Sequence, residues 1–539
     1  MNHSPVLIAT RRALACLLAL LLLLVGSCTS VLLPPSANVD LPLPPAAPRE
    51  FRAMWIATVA NIDWPSRTGL STGEQQQEIR TIVATAKRLK MNALILQVRP
   101  AADALYTSPT EPWSEYLSGV QGQAPQPFYD PLTLWISEAH ASGIELHAWF
   151  NPYRARHSAA KSLPAASHLI NTRPDLVKNY GDQRWIDPGE ADAAKRLVDV
   201  VRDVVRRYDV DGIHIDDYFY PYPVKAAPAV VTAATATSTN TAPADQADVD
   251  FPDDPSWRRY VAVGGKLNRA DWRRDNVNRL VQAVNTAIHA EKPWVKFGIS
   301  PFGLPRPERR PEGIKGFSQY DKLYADVELW WNQGWLDYLA PQLYWPIAQT
   351  AQSFPVLLDY WSRSNTKKRH LWLGLFTSKI DESDASWRPD EIRQQIALLR
   401  KDAGAGGHIH FSAVALTQNR RGIADLLARD TYETDALVPA TPWLRPNNVA
   451  LLPAPNATLY CDVNAAPASC RINVSNGTKT DGLLWAVWAK YGTTWQFSVA
   501  TNASTVLPEQ AAGQALSQVV ISRIDRYAVE GVRGMINRP

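Results

Sequence analysis

From Phe51 onward, short apolar runs rich in β-branched residues alternate with longer stretches whose apolar residues recur at helical spacing. This alternation constrains the fold more than any other feature, because parallel strands can be joined only by crossovers long enough to hold a helix. The strand-like runs fall at residues 52–59, 93–98, 144–150, 210–215, 294–299, 335–340, 370–376 and 408–414. Helical stretches at 72–90, 132–142, 191–208 and 270–291 lie between them, the first with Ile79, Ile82, Val83 and Ala86 along one side. Eight such strands with helical segments between them close as a (β/α)8 TIM barrel. An open doubly wound sheet is the alternative, but no Gly-rich phosphate loop follows any strand, which counts against it.

The fourth strand carries the densest chemistry. Residues 208–223 read YDVDGIHIDDYFYPYP, so a buried strand changes abruptly into two adjacent carboxylates and a run of aromatics. Strand side chains alternate, so Gly212, His214 and Asp216 share one face and Ile213 and Ile215 the other. With the isoleucines against the helices, Asp216 points into the barrel at the carboxyl end of its strand, where such barrels keep their chemistry. Asp217 is its neighbour and points elsewhere if the strand stays regular.

The ends of the chain read differently. Arg11 and Arg12 precede an apolar run at 13–25 that is too short for a stable membrane span, and the run ends in Val25-Gly26-Ser27-Cys28. Residues 1–28 therefore read as a lipoprotein signal peptide and lipobox, with Cys28 as the lipidation site. Residues 29–50, rich in Pro and Ala, read as a tether. The expected place is the bacterial cell envelope, lipid-anchored to the outer membrane and facing the periplasm. Once Cys16 leaves with the signal and Cys28 is acylated, Cys461 and Cys470 remain, an even pair that suggests a disulfide in an exported protein. Within the barrel region, 51–438, the Ala/Thr/Pro-rich stretch 224–250 reads as a disordered insertion. Beyond it, 439–539 consists of short alternating runs between Asn/Gly/Thr turns, the texture of a β-sandwich. A formal net charge of +4 without a dense basic run excludes nucleic acid as a natural partner.

Six ordered motifs carry a family resemblance: Trp55 with NIDWP (61–65), QVRP (97–100) with DALY (103–106), HAWFNPYR (147–154), DGIHIDDY (211–218), GISPFG (298–303) and PQLYW (341–345). Over about 51–429 the chain resembles the glycosyl hydrolase-like 10 family of bacterial secreted proteins and lipoproteins. The resemblance implies a glycosidase-like barrel, a following fibronectin-III-like module and a cell-wall glycan as substrate.

Glycoside cleavage ordinarily uses two carboxyl groups. Asp216 is the candidate nucleophile or base, an assignment supported by the likeness of its Gly-Ile-His-Ile-Asp order to strand four of α-amylase-like barrels. Asp217 is a candidate for the second catalytic carboxyl, with Asp103, Glu308 and Asp326 on other rim loops left open. Arg99, Asp103, His147, Trp149, Asn151, Arg154, Tyr218, Gln342, Tyr344 and Trp345 are candidate substrate-binding residues, offering charge, hydrogen bonds or flat faces to sugars. No His-x-x-x-His spacing occurs and no metal or cofactor is expected. Two function classes follow: a cell-envelope glycoside hydrolase acting on peptidoglycan glycan strands or a related polysaccharide, or a non-catalytic glycan-binding lipoprotein.

Overall fold

The computed structural model describes residues 43–226, 247–462, 464, 467–475 and 484–538. Eight parallel strands close a barrel in chain order: β1 (Phe51–Ile56), β2 (Ala93–Arg99), β3 (Glu145–Phe150), β4 (Gly212–Ile215), β5 (Lys296–Ile299), β6 (Tyr338–Leu339), β7 (His370–Leu375) and β8 (Ala405–His410). β1 pairs with both β2 and β8, which completes the closure. The first crossover helix, α1 (Thr72–Arg88), starts at a capping box in which Ser71 and Glu74 bond each other's backbone N–H groups. The next, α2 (Pro131–Ala141), is capped by Asp130. The helices α3 (Ala191–Arg207) and α4 (Arg269–Glu291) flank β4 in sequence and pack on each other.

Strand parity sorts the core into two layers. Met54, Ile56, Ile213 and Ile215 face the helices. Ala53, Trp55, Ile95, Trp149, Tyr338 and Trp372 fill the barrel interior. The interior is a packed core rather than a pore, as expected for a barrel of this strand number.

Two strands depart from the sequence reading. The run expected at 335–340 pairs as a strand only over Tyr338–Leu339, and beyond it Gln342 makes isolated bridges to Phe302 and Gly374. The run expected at 408–414 begins three residues earlier, at Ala405, and ends at His410. Its glycine-rich start lacks the apolar signal of a strand, and Ala413–Thr417 is already helical.

Two antiparallel sheets follow the barrel. One contains β9 (Ala457–Asp462), β10 (Ser469–Val474) and β13 (Ser504–Pro508); the other is built on β11 (Leu484–Tyr491), β12 (Thr494–Ala500), β14 (Gln514–Ile524) and β15 (Gly534–Asn537). They pack as a β-sandwich through Leu459, Ile472 and Leu507 on one side and Trp485, Val487, Val519 and Ile521 on the other. Cys461 and Cys470 face each other across β9 and β10 and are joined by a disulfide. β11 is apolar on both faces for a reason. Trp485 and Val487 build the sandwich core, whereas Ala486 and Trp488 join the cluster that continues into the barrel interior.

The expected lipobox with Cys28, and residues 29–42 of the expected tether, lie outside the described residues. The tether's last residues do not behave as one: Arg49 bonds the carbonyls of Val438 and Ala528, and Glu50 donates its N–H to Leu437. The ends of the expected insertion are likewise part of the fold. Val249 donates to the Val224 carbonyl, Ala226 to that of Ala247, and Lys225 pairs with Asp248. Residues 227–246 lie outside the described residues.

Candidate active site

A cavity of about 260 Å³ opens at the carboxyl ends of the barrel strands. Trp55 from β1, Gln97 from β2 and Trp149 from β3 reach it from the strands themselves. Arg154, Asp216, Asp217, Tyr218, Ser300, Gln342, Tyr344 and Phe411 reach it from the turns that follow.

Asp216 is 3% exposed, and its carboxylate accepts the indole N–H of Trp149 at 3.1 Å and the amide N–H of Asn151 at 3.2 Å. Burial is the largest influence on this carboxyl and pushes its pKa up to about 7. Asp217 adds in the same direction, while Arg154 and the two N–H donors oppose. β4 ends at Ile215, so the chain leaves the strand before Asp217 and turns that side chain back into the same cavity. The regular-strand expectation, in which Asp217 points elsewhere, is thereby corrected. Burial also raises the Asp217 pKa, against hydrogen bonds from Tyr222 and Gln342.

Arg154 is only 4% exposed. Its backbone N–H is fixed on the Asn151 side-chain oxygen at 2.9 Å, and its guanidinium lies 4.5 Å from the Tyr218 ring centre. Its Nε has no hydrogen-bond partner and it forms no ion pair among the described residues. His157, which also lines the cavity, is held below the usual imidazole range by burial and by Arg154.

Of the candidate substrate-binding residues, Trp149, Arg154, Tyr218, Gln342 and Tyr344 line the cavity. The others do not, and each has a physical reason. Arg99 is spent on Glu111, with a two-pronged contact at 2.7 and 2.8 Å, and on the Asn151 carbonyl. Asp103 is buried under a loop, accepting from Ala101 N–H and the Gln121 amide. His147 lies deeper in the barrel, between Tyr338 and Glu145. Asn151 stands behind Asp216 as a donor rather than facing the opening. Trp345 packs edge-on against Phe302 at 5.7 Å, outside the cavity lining. Glu308 is exposed and paired with Arg306, and Asp326 caps a helix through Leu329 N–H. Sequence reasoning missed Ser300, His157, Phe411 and Tyr222. For Ser300 the signal was available, since it directly follows the run at 294–299, whereas Phe411 fell inside the run expected at 408–414 and follows the strand only because it ends at His410.

Among the described residues no group of three or more His, Cys, Asp or Glu is placed to hold a metal ion. The cavity therefore offers two carboxyls of raised pKa, one unpaired cation, hydrogen-bonding groups and aromatic faces.

The chain is similar to several known proteins. The profile of the family described as "Glycosyl hydrolase-like 10" matches residues 50–390. The chain is 40% identical over 467 residues to "Glycosyl hydrolase YngK" of Bacillus subtilis (strain 168), covering 85% of this chain and 86% of that one. It is 34% identical over 402 residues to "Glycosyl hydrolase DigH" of Escherichia coli (strain K12), covering 69% of this chain and 84% of that one. Among solved structures, the catalytic domain of β-amylase from Paenibacillus polymyxa superposes with a TM-score of 0.45 and 11% identity, over 72% of this chain and 99% of that one. With its family profile matched over residues 50–390 and two long relatives at this identity, the chain belongs to the glycosyl hydrolase-like 10 family.

Proposed function

We propose that the protein hydrolyses O-glycosidic bonds in a bacterial cell-wall glycan, either peptidoglycan strands or a related polysaccharide, with Asp216 and Asp217 as its carboxyl pair. The observation that carries this reading is the convergence of two adjacent buried carboxyls on one cavity at the barrel mouth. A carboxyl with a pKa near 7 moves protons at neutral pH. Of the two roles open to Asp216, nucleophile or base, this favours the base. Asp217 supplies the second carboxyl and holds the proton that the leaving oxygen needs. Tyr218 and Tyr344 offer ring faces to the sugar, and Gln342 an amide.

Arg154 supports an acid-bearing glycan. A buried guanidinium without an ionic partner is costly, and a carboxylate on the bound sugar would satisfy it in a two-pronged contact. Placement in the envelope rests on the sequence: Arg11 and Arg12, the apolar run at 13–25, and Cys28. Cys28→Ala is expected to move the protein out of the membrane fraction, and unchanged attachment would remove the lipid anchor from the proposal.

The test is release of new reducing ends from peptide-free glycan strands by the purified mature protein and by its Asp216→Asn variant. Hydrolysis by the first and not the second supports the assignment. Retention of strands without shortening by both would instead identify a glycan-binding lipoprotein.

A further inference from the structure

A chain of hydrogen bonds runs down the barrel interior from the cavity floor, and its members play no part in the reaction as described so far. Ser300 Oγ lies 2.9 Å from His214 Nε2, and Trp55 Nε1 lies 3.1 Å from the same nitrogen. His214 Nδ1 is 3.0 Å from the Tyr338 hydroxyl, which is 3.0 Å from His147 Nδ1. His147 Nε2 is 3.1 Å from Glu145, whose other oxygen takes Lys296 Nζ at 2.8 Å. Glycines make the space for it. A Cβ on Gly212 would lie 2.5 Å from the His147 ring, and one on Gly298 would lie 2.1 Å from the Tyr338 ring.

The donor inventory gives this chain one direction. An indole N–H can only donate, so His214 Nε2 must be the bare, accepting nitrogen. His214 then carries its proton on Nδ1 and donates to the Tyr338 oxygen. The Tyr338 hydroxyl hydrogen is free to go only to His147 Nδ1, which leaves the His147 proton on Nε2, facing Glu145. The lower end demands the same order independently. Burial opposes ionisation of Glu145, yet Lys296 and His147 outweigh it and hold its pKa down to about 2, so this carboxylate accepts only. Every hydrogen bond from the cavity down to Glu145 thus donates downward.

The consequence emerges at the top. His214 Nε2 has no proton to give, so Ser300 must spend its hydroxyl hydrogen on that nitrogen. Its backbone cannot turn away, because Ser300 N–H donates to Ile215 and its carbonyl accepts from Gln342 Nε2 at 2.8 Å. What Ser300 has left to present to the cavity is a pair of oxygen lone pairs. Resting on the glycoside hydrolase reading, we infer that Ser300 is a specificity-determining residue that accepts a hydrogen bond from a hydroxyl or acetamido N–H of the bound sugar. His214 and Tyr338 are positioning residues that keep Ser300 in this accepting state.

The test uses the full mature protein with peptide-free glycan strands, and compares Ser300→Ala, Ser300→Thr, Tyr338→Phe and the Ser300→Ala/Tyr338→Phe double variant. Ser300→Ala is expected to raise KM about tenfold with a smaller change in kcat, the order of one neutral hydrogen bond, and Ser300→Thr to restore most of it. Tyr338→Phe removes a hydroxyl without leaving a charge bare, and is expected to raise KM less. The double variant should do no worse than Ser300→Ala alone, because both changes act through one oxygen. Histidine-selective 15N NMR should find His214 protonated on Nδ1 and bare on Nε2. A proton on His214 Nε2, an unchanged KM in Ser300→Ala, or additive losses in the double variant would overturn the inference. If the wild type cleaves nothing, the hydrolase reading fails alone. The NMR result and the glycan-binding affinity of Ser300→Ala against wild type then still decide the role of Ser300.

Discussion

The two ends of the barrel use the same residue types to opposite effect. At the floor, where the strands begin, each carboxylate is matched. Asp211 accepts Leu146 N–H and His140 on one oxygen, both at 2.8 Å. Asp337 repeats the device two strands on, taking Phe297 N–H at 2.8 Å and His289 at 3.0 Å, and its other oxygen takes the Trp443 indole at 2.8 Å. Glu145 is closed by Lys296 and His147. At the mouth, Asp216 and Asp217 share a cavity with Arg154, yet no ion pair forms among them in the described residues. Charges that satisfy one another hold the floor together, whereas charges left unpaired at the mouth are poised for a substrate.

The sharpest way to break this contrast is Asp216→Asn. An amide of equal size cannot take a proton or stabilise positive charge, so turnover on glycan strands should fall on the order of 10³-fold, roughly 4 kcal/mol of barrier. The fold should not suffer. The Asp216 pKa is raised to about 7, so its favourable contribution to folding is complete at low pH and is lost as pH climbs through about 7. Glu145 has the opposite sign: held at about 2, it stabilises above the ordinary carboxylate range and fails as pH falls through 2. Melting curves from pH 4 to 8 should therefore show Asp216→Asn gaining on wild type as pH rises. A variant that loses stability at pH 8 would make Asp216 a floor-type residue, and full activity would end its catalytic assignment.

Why Asp216 was legible in the sequence and other residues were not is a matter of depth in the barrel. The alternation of strand and helix signals gave the closed barrel, and parity placed Ile213 and Ile215 outward and Asp216 inward. Parity says which face a side chain takes, but not how far up the barrel it sits. Register supplies that: His147 lies level with Gly212 and Trp149 with His214, so His147 is a layer below the mouth despite sharing a motif with Trp149 and Asn151. Arg99 directly precedes a loop and reads as a rim cation, yet Glu111, twelve positions on, folds back to claim it, and no local pattern announces that contact. Asp217 depends on the strand ending at Ile215, a boundary that sequence cannot place to one residue.

At the floor, Asp337→Asn tests the matched half of the comparison. One oxygen becomes an amide nitrogen that meets N–H donors, so unfolding should become easier by about 3 kcal/mol, the scale of buried hydrogen bonds to a charged group. Turnover per folded molecule should stay at the wild-type level in steady-state assays. A loss of turnover with the fold intact would mean that floor and mouth are not separable.

Arg154→Met returns to the mouth with a smaller expected effect. Removing an unpaired buried guanidinium should leave the melting temperature unchanged or higher, while KM for acid-bearing glycan strands rises about tenfold through the lost charged contact. Because Arg154 opposes the rise in the Asp216 pKa, the limb of the kcat/KM profile near pH 7 should move to higher pH. A limb that stays in place would separate Arg154 from the carboxyl pair.

The smallest effect is expected where the floor meets the sandwich. Arg526 reaches Asp209 with both nitrogens, at 2.7 and 3.1 Å, and lies 5.2 Å from the Trp294 ring centre. Both partners remain about a third or more exposed, at 32% and 44%, so solvent screens the pair and Arg526→Ala should cost about 0.5 to 1 kcal/mol. The neighbouring His140 gives this cost a pH signature. Burial pulls the His140 pKa down, but Asp211 and Asp209 outweigh it and the net shift is upward, with Arg526 opposing. A raised imidazole stabilises the fold below its ordinary pKa and loses that contribution as pH rises through the folded value. Without Arg526 the shift grows, so part of the lost stability returns in acid, and denaturant unfolding at pH 5.5 should show a smaller deficit than at pH 9. An equal deficit at both values would leave His140 uncoupled from the pair. A loss of several kcal/mol, or any change in glycan turnover, would place this contact among the matched charges that hold the barrel floor.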